Sequence, residues 1–185
     1  PVVVLKAGRK QAGNVAARTH SAAIVGSDEV FDAALRRGGA VRIRSFTELF
    51  SAVQCLASRY RPVGKRLAII TNGGGPGVLA ADRANDIGLE LGHLSDTTVN
   101  ALKPKLLPQA SLVDLMDLTE DASGEHFLEA LSAAASDPNI DGVLTIHTPK
   151  IGTDMEGVAT AIAQERPKFS KPLISCVMGD ASVHE

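Results

Sequence analysis

The chain has 185 residues, of which 44% are hydrophobic and 22% are charged, and these proportions are typical of a folded globular protein and exclude a disordered one. Because 19 Lys and Arg residues face 21 Asp and Glu residues, the formal net charge of −2 supplies no global field that would attract nucleic acid or anionic lipid. With no Trp, one Tyr and five Phe, the chain also lacks the aromatic surfaces on which single-stranded nucleic acid or a flavin ring would stack.

Neither a membrane span nor a disulfide framework is indicated. No run approaches the ~20 apolar residues of a transmembrane helix, and the first residues do not form a basic leader with an apolar core. Cys55 and Cys176 are too few for a disulfide framework, and their apolar neighbours predict two buried thiols. We therefore expect a cytoplasmic protein without nucleic-acid or membrane partners.

Runs of β-branched and apolar residues alternate with helical patterns along the chain, which predicts an α/β fold with parallel sheets covered on both faces. Strands are predicted over 2–5, 40–44, 67–71, 89–91, 142–147 and 173–178. Helices are predicted after the capping residues Ser27, Ser45 and Ser95 and over 78–86, 125–136 and 155–165, with a long loop over 8–26.

Residues 59–65 separate two such α/β regions. This segment combines a proline, a glycine and three basic residues, a composition typical of a linker between compact units. We therefore predict a first domain over residues 1–62 and a second over residues 63–185.

The first candidate site is His20, in a run of small residues. The segment before it is locally cationic, since residues 1–27 contain Lys6, Arg9, Lys10 and Arg18 but no Asp or Glu. A neutral imidazole is a nucleophile near pH 7, and cations with backbone N–H groups around it would offset the charge of a phosphoryl group. His20 is thus either a phosphoryl carrier or an ordinary, partly buried loop histidine.

The second candidate is the segment Asn72–Gly77, which follows a predicted strand. Its successive N–H groups and the start of the next helix could bind an anion, although the spacing matches neither the P-loop nor the dinucleotide fingerprint. A tight strand-to-helix turn without a ligand explains the glycines equally well.

Metal chemistry is not indicated. The remaining histidines and the two cysteines have no partner at metal-ligand spacing, so we expect no zinc site. Asp114, Asp117, Glu120 and Asp121 could hold a cation or serve a general base, but they are more typical of a solvated loop whose carboxylates cap helices.

Three motifs resemble those of the NDP-forming acyl-CoA synthetases, a family that includes ADP-forming acetate–CoA ligase and is related to succinyl-CoA synthetase. They are PVVVLKAGR at residues 1–9, THSAAIVGSD at residues 19–28 and ITNGGGPGV at residues 70–78. The resemblance implies two consecutive flavodoxin-like, three-layer CoA-ligase domains, the first truncated at its N-terminus and the second at its C-terminus.

The resemblance also implies an acid–thiol ligase reaction. Acyl-CoA, ADP and phosphate are interconverted with acid, CoA and ATP through a phosphohistidine, which falls on His20, with Ser21, Gly73, Gly74 and Gly75 as phosphate contacts. Coenzyme A, ADP or ATP and Mg²⁺ would be used by a longer protein and not be bound by this region alone. The implied CoA-binding and ATP-grasp domains would lie on the same or a partner chain, and the isolated region would be inactive.

Two departures from the family pattern and one further likeness complete the sequence picture. Ser21-Ala22 stands where relatives usually have Thr-Gly, and residues 114–117 keep only the last residue of an Asn-Pro-hydrophobic-Asp pattern.

Residues 123–127 and 144–149 look like those of chains that join such a synthetase to a GNAT acetyltransferase. A non-catalytic, acyl-CoA-sensing region of a lysine acetyltransferase is therefore the alternative, and a small-ligand-binding flavodoxin-like module is a third. Exposed apolar surface could also make the chain self-associate.

Overall fold

The computed structural model describes residues 2–21, 26–58, 64–150, 152 and 154–179, and of residues 18–21 it describes the backbone alone. The chain divides into two compact units, Pro1–Arg59 and Tyr60–Glu185. Each unit is an α/β arrangement in which the described strands pair in parallel. The predicted α/β class with parallel sheets is confirmed.

The described residues of the first unit form two strands and three helices. Its strands β1 (Val3–Leu5) and β2 (Val41–Ile43) pair in the register Val3 to Val41. Its helices are α1 (Gln11–Ser21), α2 (Asp28–Arg37) and α3 (Phe46–Ala57). The hydroxyls of Ser27 and Ser45 accept N–H groups of the first turns of α2 and α3, as predicted, which satisfies donors that the helix itself leaves unpaired.

Helix α1 corrects the prediction of a loop over residues 8–26. Residues 11–21 are helical, and residues 22–25 lie outside the described part of the chain. The glycines and small polar residues suggested a loop, but Gln11 and the three alanines of this segment are strong helix formers whose combined preference outweighs Gly13 and Asn14. The turn that precedes the helix lies at Gly8, whose φ of +69° is one that glycine adopts without strain.

The second unit has a larger, five-stranded sheet. Its strands are β3 (Arg66–Thr71), β4 (Glu90–Leu91), β5 (Met116–Asp117), β6 (Gly142–His147) and β7 (Leu173–Val177). Its helices are α4 (Gly74–Asp86), α5 (Asp96–Leu102), α6 (Gly124–Ser136) and α7 (Met155–Glu165), with short 3-10 turns at Lys103–Lys105 and Arg166–Lys168. The strand order is β4-β3-β6-β7, and β5 pairs with the carboxyl end of β3.

Helices lie on both faces of this sheet, but they cover the two faces unequally. Ala68, Ile70 and Val143 pack in one apolar core with residues of α5, α6 and α7, among them Phe127 and Leu131 at 0% exposure. On the other face α4 packs against β3 and β4 and leaves Ile174 of β7 58% exposed. The prediction that helices cover both faces of the sheet is therefore correct for the central strands, whereas one face of the edge strand β7 is left uncovered.

The two cysteines correct another prediction. Cys55 on α3 and Cys176 on β7 are both exposed. Their apolar neighbours in sequence do not bury them, since Cys55 lies on a helix without buried residues and Cys176 lies on the β7 edge. In the described ranges, no helix is both long and apolar enough to cross a lipid bilayer.

Helices α6 and α7 make the closest helix contact of the second unit. A Cβ placed on Gly124 would come within 2.3 Å of the backbone carbon of Gly157, so the two helices touch where both residues lack side chains. Asp154 joins the two helix starts, because its carboxylate accepts the N–H of Gly157 at 2.9 Å and that of Gly124 at 3.2 Å. One side chain thus caps α7 and holds the first turn of α6.

Candidate functional site at the glycine turn after β3

The carboxyl edge of the larger sheet carries the glycine turn, which we define as Gly73–Gly75. Strand β3 ends at Thr71, and its hydroxyl accepts the N–H of Gly73 at 3.0 Å, which bends the chain sharply after Asn72. Helix α4 then begins at Gly74, earlier than the predicted start at 78, because Pro76 is well placed in a first turn, where its missing N–H is not needed.

This turn presents backbone donors at the positive end of a helix. The first N–H groups of any helix lack partners within it, and the aligned peptide dipoles favour an anion there. A Cβ on Gly75 would meet nothing within 4 Å, and Gly75 is exposed, so the turn is open on that side. Its geometry suits a phosphate group that is contacted by backbone N–H groups.

Asn72 anchors the glycine turn to the end of the neighbouring strand β6. Its side chain is 2% exposed and binds Thr148, the residue that follows β6, through three hydrogen bonds. Asn72 Nδ2 donates to the Thr148 carbonyl at 3.1 Å, and Asn72 Oδ1 accepts both the N–H of Thr148 at 2.8 Å and its hydroxyl at 3.0 Å. The ends of two neighbouring strands are thereby tied together beneath the turn.

Asp117 lies beside the start of α4. A Cβ on Gly74 would come within 3.1 Å of Asp117 Oδ2, while Asp117 Oδ1 accepts the N–H of Thr119 at 3.0 Å. Thr119 has a φ of +71°, a strained value for a β-branched residue, and strain of this kind is concentrated at functional sites. The aspartate retained from the family pattern is thus held against the glycine turn.

The other acidic residues of this region are solvated, as predicted, but none of them caps a described helix. Asp114, Glu120 and Asp121 are exposed, and the last two pair with Lys150 at 3.3 and 2.9 Å. The hydrogen bond to Asp121, more than the opposing loss of solvation, raises the pKa of Lys150 above its ordinary value. Lys150 is thus a cation shared between two carboxylates at the sheet edge.

Two histidines of the second unit have structural partners. His126 accepts the N–H of Ser123 on its Nδ1 at 2.9 Å and so completes a capping box at α6. His147, at 0% exposure, lies against Phe127 with ring centroids 4.6 Å apart, and burial lowers its pKa to about 4. Neither ring is therefore placed as an accessible nucleophile.

In the first unit, the expected cationic segment is balanced by an acidic residue. Lys6 and Arg9 lie 3.4 and 3.9 Å from Asp28, at the start of α2, and Arg42 binds the same carboxylate at 2.5 Å. The hydrogen bond from Arg42, outweighing burial, holds the pKa of Asp28 below its ordinary range. Lys6 and Arg9 are therefore paired, which the count of charges over residues 1–27 did not predict.

The sequence-predicted site residues lie in different units. The backbone of His20 and Ser21 belongs to the last turn of α1, and their side chains lie outside the described residues. Gly73, Gly74 and Gly75 form the turn of the second unit. Among the side chains that the structure describes, no group of three His, Cys, Asp or Glu residues is arranged to hold a metal ion.

Sequence reasoning overlooked the support of the turn. Asn72 and Thr148 each follow directly on an apolar strand, and the carboxyl ends of neighbouring parallel strands share one edge of the sheet. A polar residue directly after each of two neighbouring strands was therefore a signal from which the contact between Asn72 and Thr148 could have been predicted. Thr119 offered no comparable signal, because nothing local in the sequence predicts a positive φ at a threonine.

Comparison with known proteins gives a consistent set of relatives. Residues 1–56 match the succinyl-CoA ligase-like flavodoxin domain. The chain is 38% identical over 185 residues to acetate–CoA ligase (ADP-forming) I of Archaeoglobus fulgidus, covering 100% of this chain and 26% of the relative. It is 31% identical to the alpha subunit of acetate–CoA ligase (ADP-forming) I of Pyrococcus furiosus, covering 100% of this chain and 40% of that subunit.

A solved structure agrees with these relatives. The acetyl-coenzyme A synthetase 1 of Candidatus Korarchaeum cryptofilum, in complex with phosphate and ADP, superposes with a TM-score of 0.85 at 28% identity. The superposition covers 100% of this chain and 40% of that one. The chain thus spans between a quarter and two-fifths of the length of these relatives.

Proposed function

Because the chain belongs to the NDP-forming acyl-CoA synthetase family, we propose that it is the phosphoryl-carrying region of an ADP-forming acyl-CoA ligase. In the proposed reaction, phosphate attacks the thioester of acyl-CoA, which gives an acyl phosphate and releases CoA. The phosphoryl group passes to an imidazole nitrogen of His20 and releases the acid, and ADP then takes it to form ATP. Each step is reversible.

The glycine turn is the structural observation that carries this proposal. Phosphoryl transfer depends mainly on positioning and on stabilising the charge of the transferred group. The first N–H groups of α4, open to solvent at Gly75, supply donors suited to phosphate oxygens. Ser21 is proposed as a second phosphate contact, through its hydroxyl.

Other parts of the reaction are assigned outside this chain. CoA-binding and ATP-grasp domains, on the same or a partner polypeptide in the cytoplasm, would bind the thioester and the nucleotide. Mg²⁺, which is usually held by one or two carboxylates together with substrate phosphates, would enter with the nucleotide at the ATP-grasp domain. The relatives described above are ligases and synthetases, which favours the enzyme over a regulatory acetyltransferase region.

The test is covalent labelling of the full-length protein. Incubation with acyl-CoA and labelled phosphate should place acid-labile label on the chain, and His20→Ala should abolish it. His93→Ala, which changes an exposed histidine of the second unit, is the matched control and should retain the label. Labelling that survives in the His20 variant would refute the phosphohistidine assignment.

A further inference from the structure

The side chain of Asn72 extends the β3–β6 pairing beyond the point where the two backbones separate. The last backbone pair of this ladder is Thr71 with Ile146. After it, the β3 chain turns away into the glycine turn, which would leave the N–H and C=O of Thr148 without a strand partner. The amide of Asn72 takes over both, accepting from one and donating to the other.

Asparagine is chemically suited to this place. Its short amide carries a donor and an acceptor side by side, whereas Asp has no donor and Leu has neither. Because Asn72 is 2% exposed, a side chain without the amide at this place would leave the N–H and C=O of Thr148 without the partners that they have now. The residue therefore sets where Thr148 lies relative to β3.

The side chain of Thr148 packs directly against Gly73 in the glycine turn. A Cβ on Gly73 would come within 2.4 Å of the Thr148 hydroxyl oxygen, 3.0 Å of its methyl group and 3.2 Å of its Cβ. Rotating the threonine side chain does not remove this contact, since every heavy atom of the side chain is close. The position of Gly73, and with it the direction of the N–H groups of Gly74 and Gly75, depends on Thr148.

We propose that Asn72 is a positioning residue for phosphate, acting through Thr148 on the backbone donors of the glycine turn. This inference rests on the proposed function, because it assumes that the turn binds phosphate. Displaced backbone donors would lose hydrogen bonds to the bound phosphate, and a lost hydrogen bond to a charged group weakens binding about tenfold or more. Loss of the Asn72 amide should therefore raise the KM for phosphate about tenfold.

The experiment measures ATP formation by the full-length ligase from acyl-CoA, ADP and phosphate, with separate KM values for phosphate and acyl-CoA. For Asn72→Leu, which keeps the side-chain size without the amide, we expect the KM for phosphate to rise about tenfold while that for acyl-CoA changes less than twofold. The same change at exposed Asn100 on α5 is the matched control and should alter neither constant.

A second position keeps the proposal testable if Asn72→Leu does not fold. Thr148→Val removes the hydroxyl with its hydrogen bond and keeps the shape, so the KM for phosphate should rise about threefold. Thr148→Ser keeps all three hydrogen bonds and should restore a value close to that of the wild type.

The outcomes separate this inference from the function on which it rests. An active wild type whose phosphate KM stays within twofold in Asn72→Leu, or in Thr148→Val where the first variant is unfolded, overturns the inference alone. A fall in kcat with both KM values unchanged also overturns it, since that result indicates a structural role. A wild type without ATP formation and without label on His20 overturns the proposed function and this inference together.

Discussion

Burial of His147 makes the stability of the second unit depend on pH. The ring has 0% exposure, and its Nε2 lies 3.0 Å from the hydroxyl of Thr145, which itself donates to Ser175 at 2.8 Å. The hydroxyl therefore accepts from Nε2–H, and Nδ1 is a buried acceptor for which the described residues provide no hydrogen-bond donor. A second proton on this ring would introduce a charge among apolar groups, which is why the pKa falls to about 4.

The direction and size of the effect follow from linkage. The unfolded chain takes up a proton at His147 near its ordinary pKa of 6.5, while the folded chain resists protonation down to about 4. Its contribution to stability is therefore complete above about pH 6.5 and is lost as the pH falls towards 4. Between pH 7 and pH 5 this amounts to about 2 kcal/mol in the free energy of unfolding.

Urea unfolding followed by circular dichroism at both pH values measures this loss, since the chain has no tryptophan to report by fluorescence. His147→Gln keeps a donor for Thr145 but does not titrate, so its free energy of unfolding should fall by about 2 kcal/mol less than that of the wild type. An equally steep fall in the variant, or a flat profile in the wild type, would refute the reasoning.

Four further substitutions test packing and ion pairing in the second unit. Gly124→Ala places a methyl group within 2.3 Å of the α7 backbone and should lower the free energy of unfolding by about 3 kcal/mol. Gly73→Ala places a methyl group 2.4 Å from the hydroxyl oxygen of Thr148 and should lower the free energy of unfolding by about 2 kcal/mol. Gly75→Ala places its methyl group in open space and should leave that free energy unchanged or raise it slightly. Arg66→Ala removes a two-pronged ion pair to Asp141 at 2.9 and 2.7 Å, and because Arg66 is 42% exposed, solvent screens the pair and the loss should be smaller than that of Gly73→Ala.

Urea unfolding measures each of these changes: the midpoint should shift while the m-value, the slope of the unfolding free energy against urea concentration, stays constant. Equal stabilities for the two turn variants would contradict the close approach at Gly73, and a stable Gly124 variant would contradict the helix contact. For Arg66→Ala, a loss as large as that of Gly124→Ala would show that solvent does not screen this pair as argued.

Local signals predicted much of the fold. Strand β6 and helix α7 have the predicted bounds, Gly142–His147 and Met155–Glu165, because an unbroken apolar run and an amphipathic period mark them clearly. The hydroxyl of Ser95, like those of the two earlier caps, accepts an N–H of the first turn of its helix. Such features depend on neighbours within four residues, so the sequence displays them directly.

Other features, which the sequence analysis missed, depend on contacts distant in sequence. Strand β5 has two residues and no periodicity, and it exists because Met116 and Asp117 reach the end of β3. The exposure of Cys176 depends on what lies over β7, and the pairing of Lys6 depends on Asp28. For the candidate site, the motif located the glycine turn, but its support by Thr148 required the strand order.

Asp154 has a consequence for how the loops at this edge of the sheet can vary. Since one carboxylate secures the first turns of two crossing helices, neither helix can shift along its axis without releasing the other. Insertions in the segments that lead into them are therefore tolerated only where the crossing at Gly124 and Gly157 is left in register. The two helices therefore respond as one rigid unit to any change in these loops.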